Sequence, residues 1–433
     1  MVIPVFHTPS EGRPEFTVIS ATYNRGRHII PTVLSVLGQS FQDFEFYIIG
    51  DFCADDTAQH LQPFLNDRVH WINLQERGKS QSYPNNAGLK LARGRYVAYI
   101  GHDDIWAPNH LESLHECFAT SDAVSFAVSG CLTHGPADSN HYRVTGIFEE
   151  DSAKFEHFFP PSSLAHKLSV VEKIGYWRDP LQVKAPVDCD LLLRAAEAGM
   201  HFSSTRKVTA HKFTAALRYL SYMEHTSHEQ EHLLRILSSG DEAVALISGA
   251  IASARENGRF MTTKYEDYDK RQPGAWYRTS LRSRGVERPP LRSLNDGATI
   301  QQTTAYAGLD WQPLRQWVRP YRMSGENPRP KLLIPVTHFG PVEVHLEIVK
   351  ITAPHVLEDL VLRLNGAPTP YRIWNSSEDT VLLTTRSRLK EDDYSVLQFD
   401  LTPKEKTDRS PGRIGVANIR IVPVSGDEIA VHT

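Results

Sequence analysis

The run Ala98-Tyr99-Ile100 passes through Gly101-His102 into two adjacent carboxylates, Asp103 and Asp104, with Ile105-Trp106 beyond. An apolar run of this kind reads as a buried strand. Adjacent acids where a buried strand runs out are costly unless something positive sits beside them. A divalent cation meets that need. Mg2+ or Mn2+ takes hard oxygen ligands, few of them from protein, and lets substrate phosphates fill the remaining positions. The chemistry to expect is therefore metal-assisted handling of a diphosphate. A solvated turn after a strand is the alternative use of Asp here.

The elements that must position these acids alternate along the first half of the chain. Phe16 to Ala21 is a β-rich run, followed by the polar loop Thr22-Tyr23-Asn24-Arg25-Gly26-Arg27. Ile29, Val33, Val36 and Leu37 recur at helical spacing. Phe44 to Ile49 is a second strand, and Asp55-Asp56-Thr57 suits the start of a helix. Val69 to Leu74 is a third strand, Asn85 to Ala92 a helix closed by Gly94, and Tyr96 to Ile100 a fourth strand. Strands separated by helices imply an α/β fold of parallel β-α-β units. Ligands of such sheets lie beyond the carboxyl ends of the strands. Gly50, Asp51 and the Asp103-Asp104 pair all fall there.

Further along, Asp188 and Asp190 open a helical segment that ends at Gly199, a good C-cap residue. Asp190 points away from Asp188 and stands four residues before Arg194, at pairing distance on a helix. Residues 224–260 are amphipathic and helical, and 261–330 are rich in Arg, Pro, Gly and Tyr with little periodicity. From Lys331 the pattern becomes short strands punctuated by Gly, Pro, Asn and Asp, as in a β-sandwich. Three regions result: 1–223, a helical and extended connector over 224–330, and a sandwich over 331–433.

Composition narrows the class. The 433 residues carry a formal net charge of -4, with 40% hydrophobic and 23% charged residues. That is ordinary for a globular protein and lacks the basic footprint of a nucleic-acid binder. Cys53, Cys117, Cys131 and Cys189 lie far apart, without a CxxC pair. Neither zinc site nor disulfide framework is expected, and a reduced, cytoplasmic setting fits. Met1 to His7 does not read as a secretory signal. Ala243 to Ala254 is too short to cross a bilayer and reads as a core helix. Peripheral association with the inner face of the cell membrane and oligomer formation both stay open.

The ordered set Thr22-Tyr23-Asn24-Arg25, Asp51, Gly78 through Asn85-Asn86-Ala87-Gly88, and Asp103-Asp104 resembles the nucleotide-sugar-binding half of GT-A-fold inverting glycosyltransferases of the family-2, bacterial polysaccharide type. The resemblance spans about residues 15 to 215. It implies a nucleoside-diphosphate sugar donor held by Thr22, Tyr23, Asn24, Arg25, Asp51, Asn86 and Asp103. It implies Mn2+ or Mg2+ on Asp104, with Asp103 on the ribose or the metal and His211 as a third ligand or phosphate contact. Asp51 matches the acid that contacts the base. A carboxylate only accepts hydrogen bonds and so suits a ring N–H such as that of uracil, which favours a UDP-sugar. Members usually carry an acid before it, where this chain has Gly50. His102 is a spacer in the motif, and Trp106 and Pro108 match the segment that follows. Ile174 to Asp179 resembles the Gly-aromatic turn of the acceptor side. Asp188 matches the catalytic base, which takes the proton of the attacking acceptor hydroxyl. Val187 replaces the Glu that many members place before it.

The expected reaction is transfer of a sugar to a hydroxyl of a glycan or glycolipid in surface-polysaccharide synthesis. The C-terminal region resembles jelly-roll-like accessory domains, where Tyr371, Trp374 and Tyr394 offer faces for sugars or pack in a core. Competing classes are a nucleotidyltransferase and a non-catalytic nucleotide- or glycan-binding GT-A protein. The first would carry a Gly-rich loop where Thr22 to Arg25 stands, and the second need not keep Asp103, Asp104 and Asp188.

Overall fold

The computed structural model describes residues 12–135, 142–148, 159–214, 225–260, 271–278, 291–301, 308–309, 311, 321–324, 329–377, 380–402 and 412–424. Two compact units are present, one made of residues 1–214 and 225–278, the other of 215–224 and 279–433.

The first unit is built on a nine-stranded mixed sheet. Its strands are β1 (Phe16–Thr22), β2 (Phe44–Gly50), β3 (Val69–Asn73), β4 (Tyr96–Tyr99), β5 (Ile105–Trp106), β6 (Val124–His134), β7 (Tyr142–Thr145), β8 (Leu164–Lys167) and β9 (His201–Phe213). They run in the order β3-β2-β1-β4-β8-β6-β9-β5, with β7 on β6. β1 to β4 are mutually parallel, and β8 turns the sheet antiparallel. All seven residues of β2 are buried, as for a parallel strand covered on both faces.

Helices α1 (Ile30–Leu37), α2 (Thr57–Leu61) and α3 (Ser82–Leu91) connect the parallel strands, and α4 (His110–Ala119) follows β5. α3 packs tightly on β1: a Cβ on Gly88 would stand 2.8 Å from the Ile19 side chain. Two hydrophobic clusters line the two faces, one with Phe16, Val18 and Phe46, the other with Ile19, Ile49 and Tyr99. α5 (Val170–Ile174) and α6 (Val187–Glu197) lead into β9. α6 ends through Gly199 at φ +67°, which only glycine adopts without strain. The Gly199 and Met200 amides then bond back to the carbonyls of Ala196 and Ala195, closing the helix end.

The expected division at residue 223 differs from this packing. α7 (His228–Leu237) and α8 (Gly240–Glu256) belong to the first unit, where α7 lies on α1 and β5 and α8 on β7. Their apolar faces are drawn into clusters with Ile105 and Phe213, and with Leu132 and Val144. Ala243 to Ala254 is thus a half-covered helix, with Ala250 and Ala254 buried and Val244 exposed. Among the described residues no helix is long and apolar enough to cross a membrane.

The second unit is β-rich. A six-stranded sheet carries Pro341–Ile351, Thr380–Arg388 and Ile414–Pro423, and a five-stranded sheet carries Lys331–Ile334, Val361–Leu364 and Ser395–Asp400. Alternate residues of both, among them Val344, Leu346, Ile421, Leu362, Leu397 and Phe399, share one core, the signature of two packed sheets. Tyr371 spends its hydroxyl on the Leu357 and Leu360 carbonyls, and Tyr394 packs on Leu333. Trp374 is 53% exposed. Most of the expected connector, 261–330, and Met1 to His7 lie outside the described residues.

Candidate active site

The two adjacent acids differ in burial and in partners. The chain leaves β4 at Tyr99, and a turn closed by the Asp104 amide on the Gly101 carbonyl swings Asp104 inward. Asp104 is fully buried. One carboxylate oxygen accepts from the Ser162 hydroxyl and from Lys212 Nζ at 3.1 Å. The other accepts the Phe213 amide at 3.1 Å, and the Asp104 carbonyl accepts the Thr32 hydroxyl at 2.8 Å. Both oxygens are therefore committed inside the protein. Asp104, expected as a metal ligand, here pins β4, α1 and β9 together. Burial raises its pKa, and the Lys212 ammonium opposes the rise. Burial also works to lower Lys212, but Asp104 and Asp103 outweigh it and hold the ammonium charged.

His211 is enclosed as well. Antiparallel pairing sets it opposite Ile105, and it is fully buried. Its Nδ1 lies 3.0 Å from His134 Nε2, while its Nε2 has no hydrogen-bond partner among the described residues. Burial pushes its pKa down to about 4, so the ring is neutral.

Asp103 keeps 15% of its side chain exposed. It pairs with Arg25 Nη2 at 2.9 Å, and the Arg25 side chain is 5% exposed. The loop bearing Arg25 is fixed by its backbone. The Arg25 and Gly26 amides donate to Thr57 Oγ1 at 3.0 and 2.8 Å, and that hydroxyl donates to Asp55. Asn24 stands at φ +42°, with its side-chain oxygen accepting the Ala54 amide at 2.9 Å. Tyr23 lies under the Arg77 guanidinium at 3.7 Å. The Thr22 hydroxyl is buried without a partner among the described residues. Arg25 also lines a cavity of about 270 Å³, together with Arg27, His28, Asp56, His60 and His225.

Asp51 lies beside this loop, its amide on the Thr22 carbonyl at 2.8 Å. Its carboxylate accepts the amides of Gly78 and Lys79 at 2.6 and 2.8 Å. Burial raises its pKa, and those two amides and Arg77 pull it back. Gly50 now has a physical account. A Cβ there would stand 2.5 Å from both the Trp71 ring and Asn73 Oδ1. The space that an acid would need is filled.

Asn86 is engaged elsewhere. Its amide donates to the Trp177 carbonyl at 2.8 Å and accepts the Trp177 amide at 3.0 Å. Asn86, expected at the nucleotide, here braces the Gly-aromatic turn. The Trp177 indole donates to the Tyr99 hydroxyl at 3.3 Å, which ties that turn to the last residue of β4. Arg194 bonds Asp190 at 2.9 Å and the Tyr176 carbonyl at 3.0 Å, so Asp190 positions α6, as its spacing implied. Asp188 occupies the first turn of α6, half-buried, with one oxygen accepting the Cys189 amide at 3.0 Å. Ser162, Lys212 and His225 were not read as site residues. Nothing in their local sequence marks them, since each acts through a distant partner.

No three His, Cys, Asp or Glu side chains gather as a ligand set among the described residues. One outward carboxylate, Asp103, suits an ion whose other ligands are diphosphate oxygens and water.

Residues 17–167 match the model of glycosyl transferase family 2. The chain carries a family-2 glycosyltransferase domain. The matched segment holds Thr22 to Arg25, Asp51, Asn86, Asp103 and Asp104, while Asp188 and His211 lie beyond it. An uncharacterized glycosyltransferase of Nostoc sp. is 26% identical over 272 residues, 58% of this chain and 82% of that protein. The UDP-Glc:alpha-D-GlcNAc-diphosphoundecaprenol beta-1,3-glucosyltransferase WfgD of Escherichia coli is 31% identical over 96 residues, 22% of this chain and 38% of that protein. The chain thus spans well under half of WfgD. A crystal structure of S. aureus TarS with UDP-GlcNAc aligns at a TM-score of 0.39 and 16% identity, over 52% of this chain and 66% of that one. The sheet of the first unit, with Thr22, Asp51 and Asp103 at or just beyond the carboxyl ends of β1, β2 and β4, is that of the GT-A fold.

Proposed function

We propose that the protein transfers a sugar from a nucleoside-diphosphate sugar, UDP-linked by preference, to a hydroxyl of a glycan or glycolipid, with inversion at the anomeric carbon. The observation that carries this reading is the convergence of Thr22 to Arg25, Asp51 and Asp103 at neighbouring strand ends, beside a cavity lined by Arg25. WfgD, named for a UDP-glucose donor and a diphosphoundecaprenol-linked acceptor, supports the donor and acceptor classes.

In this reading Asp51 accepts the ring N–H of the base, its carboxylate oriented by the Gly78 and Lys79 amides. The partnerless Thr22 hydroxyl, buried at the end of β1, is available to the nucleoside. Asp103 would hold a divalent ion, Mn2+ or Mg2+, whose charge neutralises the leaving diphosphate. Asp188 accepts the proton of the acceptor hydroxyl as oxygen attacks the anomeric carbon, and the nucleoside diphosphate departs on the opposite face. A cytoplasmic location, with acceptor at the inner membrane face, belongs to the same proposal.

Thermal unfolding with UDP, GDP, dTDP and CMP, each with Mn2+, tests the donor half, because a ligand of the native state raises its melting temperature. UDP should stabilise most and CMP, which lacks the ring N–H, least. Preference for CMP refutes the assignment of Asp51.

A further inference from the structure

Asp51 owes its orientation to one short loop. The Gly78 amide donates to one carboxylate oxygen and the Lys79 amide to the other, at 2.6 and 2.8 Å. Successive amides turned to one side make an anion-holding concavity. Lys79 closes it at φ +56°, left-handed backbone that is unfavourable for a residue bearing a Cβ. Such backbone persists only where its surroundings hold it. The hold comes from a distant segment. The Tyr277 hydroxyl donates to the Lys79 carbonyl at 3.0 Å, across 198 residues of sequence. The two peptide groups that flank the Lys79 Cα are thus both engaged, one on Asp51 and one by Tyr277. Burial raises the Tyr277 phenol, and Tyr83 and Asp51 add to the rise, so it stands within electrostatic reach of the carboxylate. Tyr277 is fixed in turn by its own segment. Gly274, at φ +72°, donates its amide to the Val183 carbonyl at 2.8 Å, and the Arg278 amide closes a helical turn on the Gly274 carbonyl at 3.0 Å. Tyr83 rests on Gly78 and leaves no room there for a Cβ.

We propose that Tyr277 is a positioning residue for recognition of the nucleobase: by holding the Lys79 peptide in its left-handed form it sets the plane of the Asp51 carboxylate, and so governs how sharply the site separates a base with a ring N–H from one without. The proposal rests on the reading of Asp51 as acceptor of that N–H. Without the Tyr277 hydroxyl the Lys79 carbonyl loses its partner, and the backbone can relax toward the ordinary region. The Lys79 amide then turns from Asp51, and the base N–H meets an acceptor with no fixed direction. A base that lacks the N–H gains nothing from the alignment and loses nothing with it. The effect falls on the difference between bases, whereas a bond that merely tethered residues 271–278 would leave that difference alone.

The test is calorimetric affinity for UDP and CDP, each with Mn2+, on the full chain. The two ligands share ribose and diphosphate, so the ratio of their affinities reports the base alone. Tyr277→Phe removes one half-exposed hydroxyl and keeps the ring, and thermal unfolding verifies that it folds. It should bind UDP about fivefold more weakly, as for one neutral hydrogen bond, and CDP within about twofold of wild type. Adding Lys79→Gly, which takes positive φ without strain, should return the ratio to within about twofold of wild type. The ammonium lost with Lys79 counts alike for both diphosphates and cancels in that ratio. UDP and CDP weakened alike, or neither weakened, in Tyr277→Phe overturns the positioning role and leaves the donor reading intact. A ratio that Lys79→Gly does not restore overturns it too, because the route runs through that backbone. Wild type without preference for UDP over CDP overturns the reading of Asp51 itself.

Discussion

Asn86 and Trp177 clasp each other through two reciprocal hydrogen bonds across 91 residues of sequence. The side-chain amide of one satisfies both backbone groups of the other, so the start of α3 holds the turn that precedes α6. Asn86→Asp keeps the shape but cannot donate to the Trp177 carbonyl. It should lower stability by about 2 kcal/mol, the cost of leaving a half-buried acceptor unpaired and facing a charge. Urea denaturation measures this, and UDP affinity should stay within about twofold of wild type, since both polar atoms of the side chain are spent on Trp177. A tenfold loss of UDP affinity at unchanged stability would return Asn86 to the donor site.

Asp104→Ala should act on the fold before it acts on chemistry. It strands the Lys212 ammonium, the Ser162 hydroxyl and the Phe213 amide together. Removing one member of a buried pair costs about 3–5 kcal/mol. The Lys212 side chain is 30% exposed, so the lower end, about 3 kcal/mol, is expected. Calorimetric unfolding decides: a melting temperature equal to wild type would mean that Asp104 bears on ligand and not on packing.

Restoring the family's usual acid at position 50 should fail. Gly50→Asp drives its Cβ into Trp71 and Asn73, both 2.5 Å away. Asn73 also bonds the amide and carbonyl of Cys53, so the loop after β2 moves with it. A loss of about 1–3 kcal/mol is expected from overpacking of this kind. Gly50→Asp/Trp71→Ala should recover part of it; a stable single variant with tighter UDP binding contradicts the account.

Asp188→Asn keeps size and removes basicity. Transfer should fall by about two to four orders of magnitude, the range for a positioned general base. The loss should appear in kcat, with UDP affinity preserved, because the proton moves only on the way to the transition state. Near wild-type turnover would reduce Asp188 to a residue of the first helical turn.

Stability should decline in mild acid. Burial pushes His166 down to about 4 and His110 to about 3, from an ordinary 6.5. Both are neutral in the native state. Below pH 6.5 the unfolded chain takes up protons that the native state refuses, so the stabilisation is complete above 6.5 and is lost as pH falls toward 4. His166 accepts the Tyr99 hydroxyl on Nε2 at 2.9 Å and so must donate from Nδ1 to the Lys167 carbonyl at 2.8 Å, which fixes its tautomer. Melting temperatures from pH 7 to 5 should drop, and His166→Gln should flatten the slope. A flat wild-type profile contradicts this.

The parallel half of the sheet was legible residue by residue. The runs at Phe16, Phe44, Val69 and Tyr96 each begin a strand where expected, and in β1, β2 and β4 the signal is strong because both faces are covered. The acids at strand ends were legible for the same reason. Which acid turns inward was not. That depends on Ser162 and Lys212, 58 and 108 residues away, and on a turn that local pattern does not encode. β5, two residues long, carries no periodicity at all, yet its pairing with β9 is what encloses His211. The amphipathic character of α7 and α8 was plain, but amphipathicity names a buried face without naming what buries it.

α6 passes into β9 across the single bend at Gly199, so Asp188 and Lys212 lie at the two ends of one continuous piece of bonded backbone, broken only by an irregularity at Arg206. No hinge or linker separates the proposed base from the cation that anchors the acidic pair. In the proposed reaction, the spacing between Asp188 and the leaving-group side would be a fixed gauge, cut into the scaffold. Under that proposal a donor sugar and an acceptor hydroxyl would have to fit the gap as they find it, and a one-residue insertion beside Gly199 would recalibrate it for both at once.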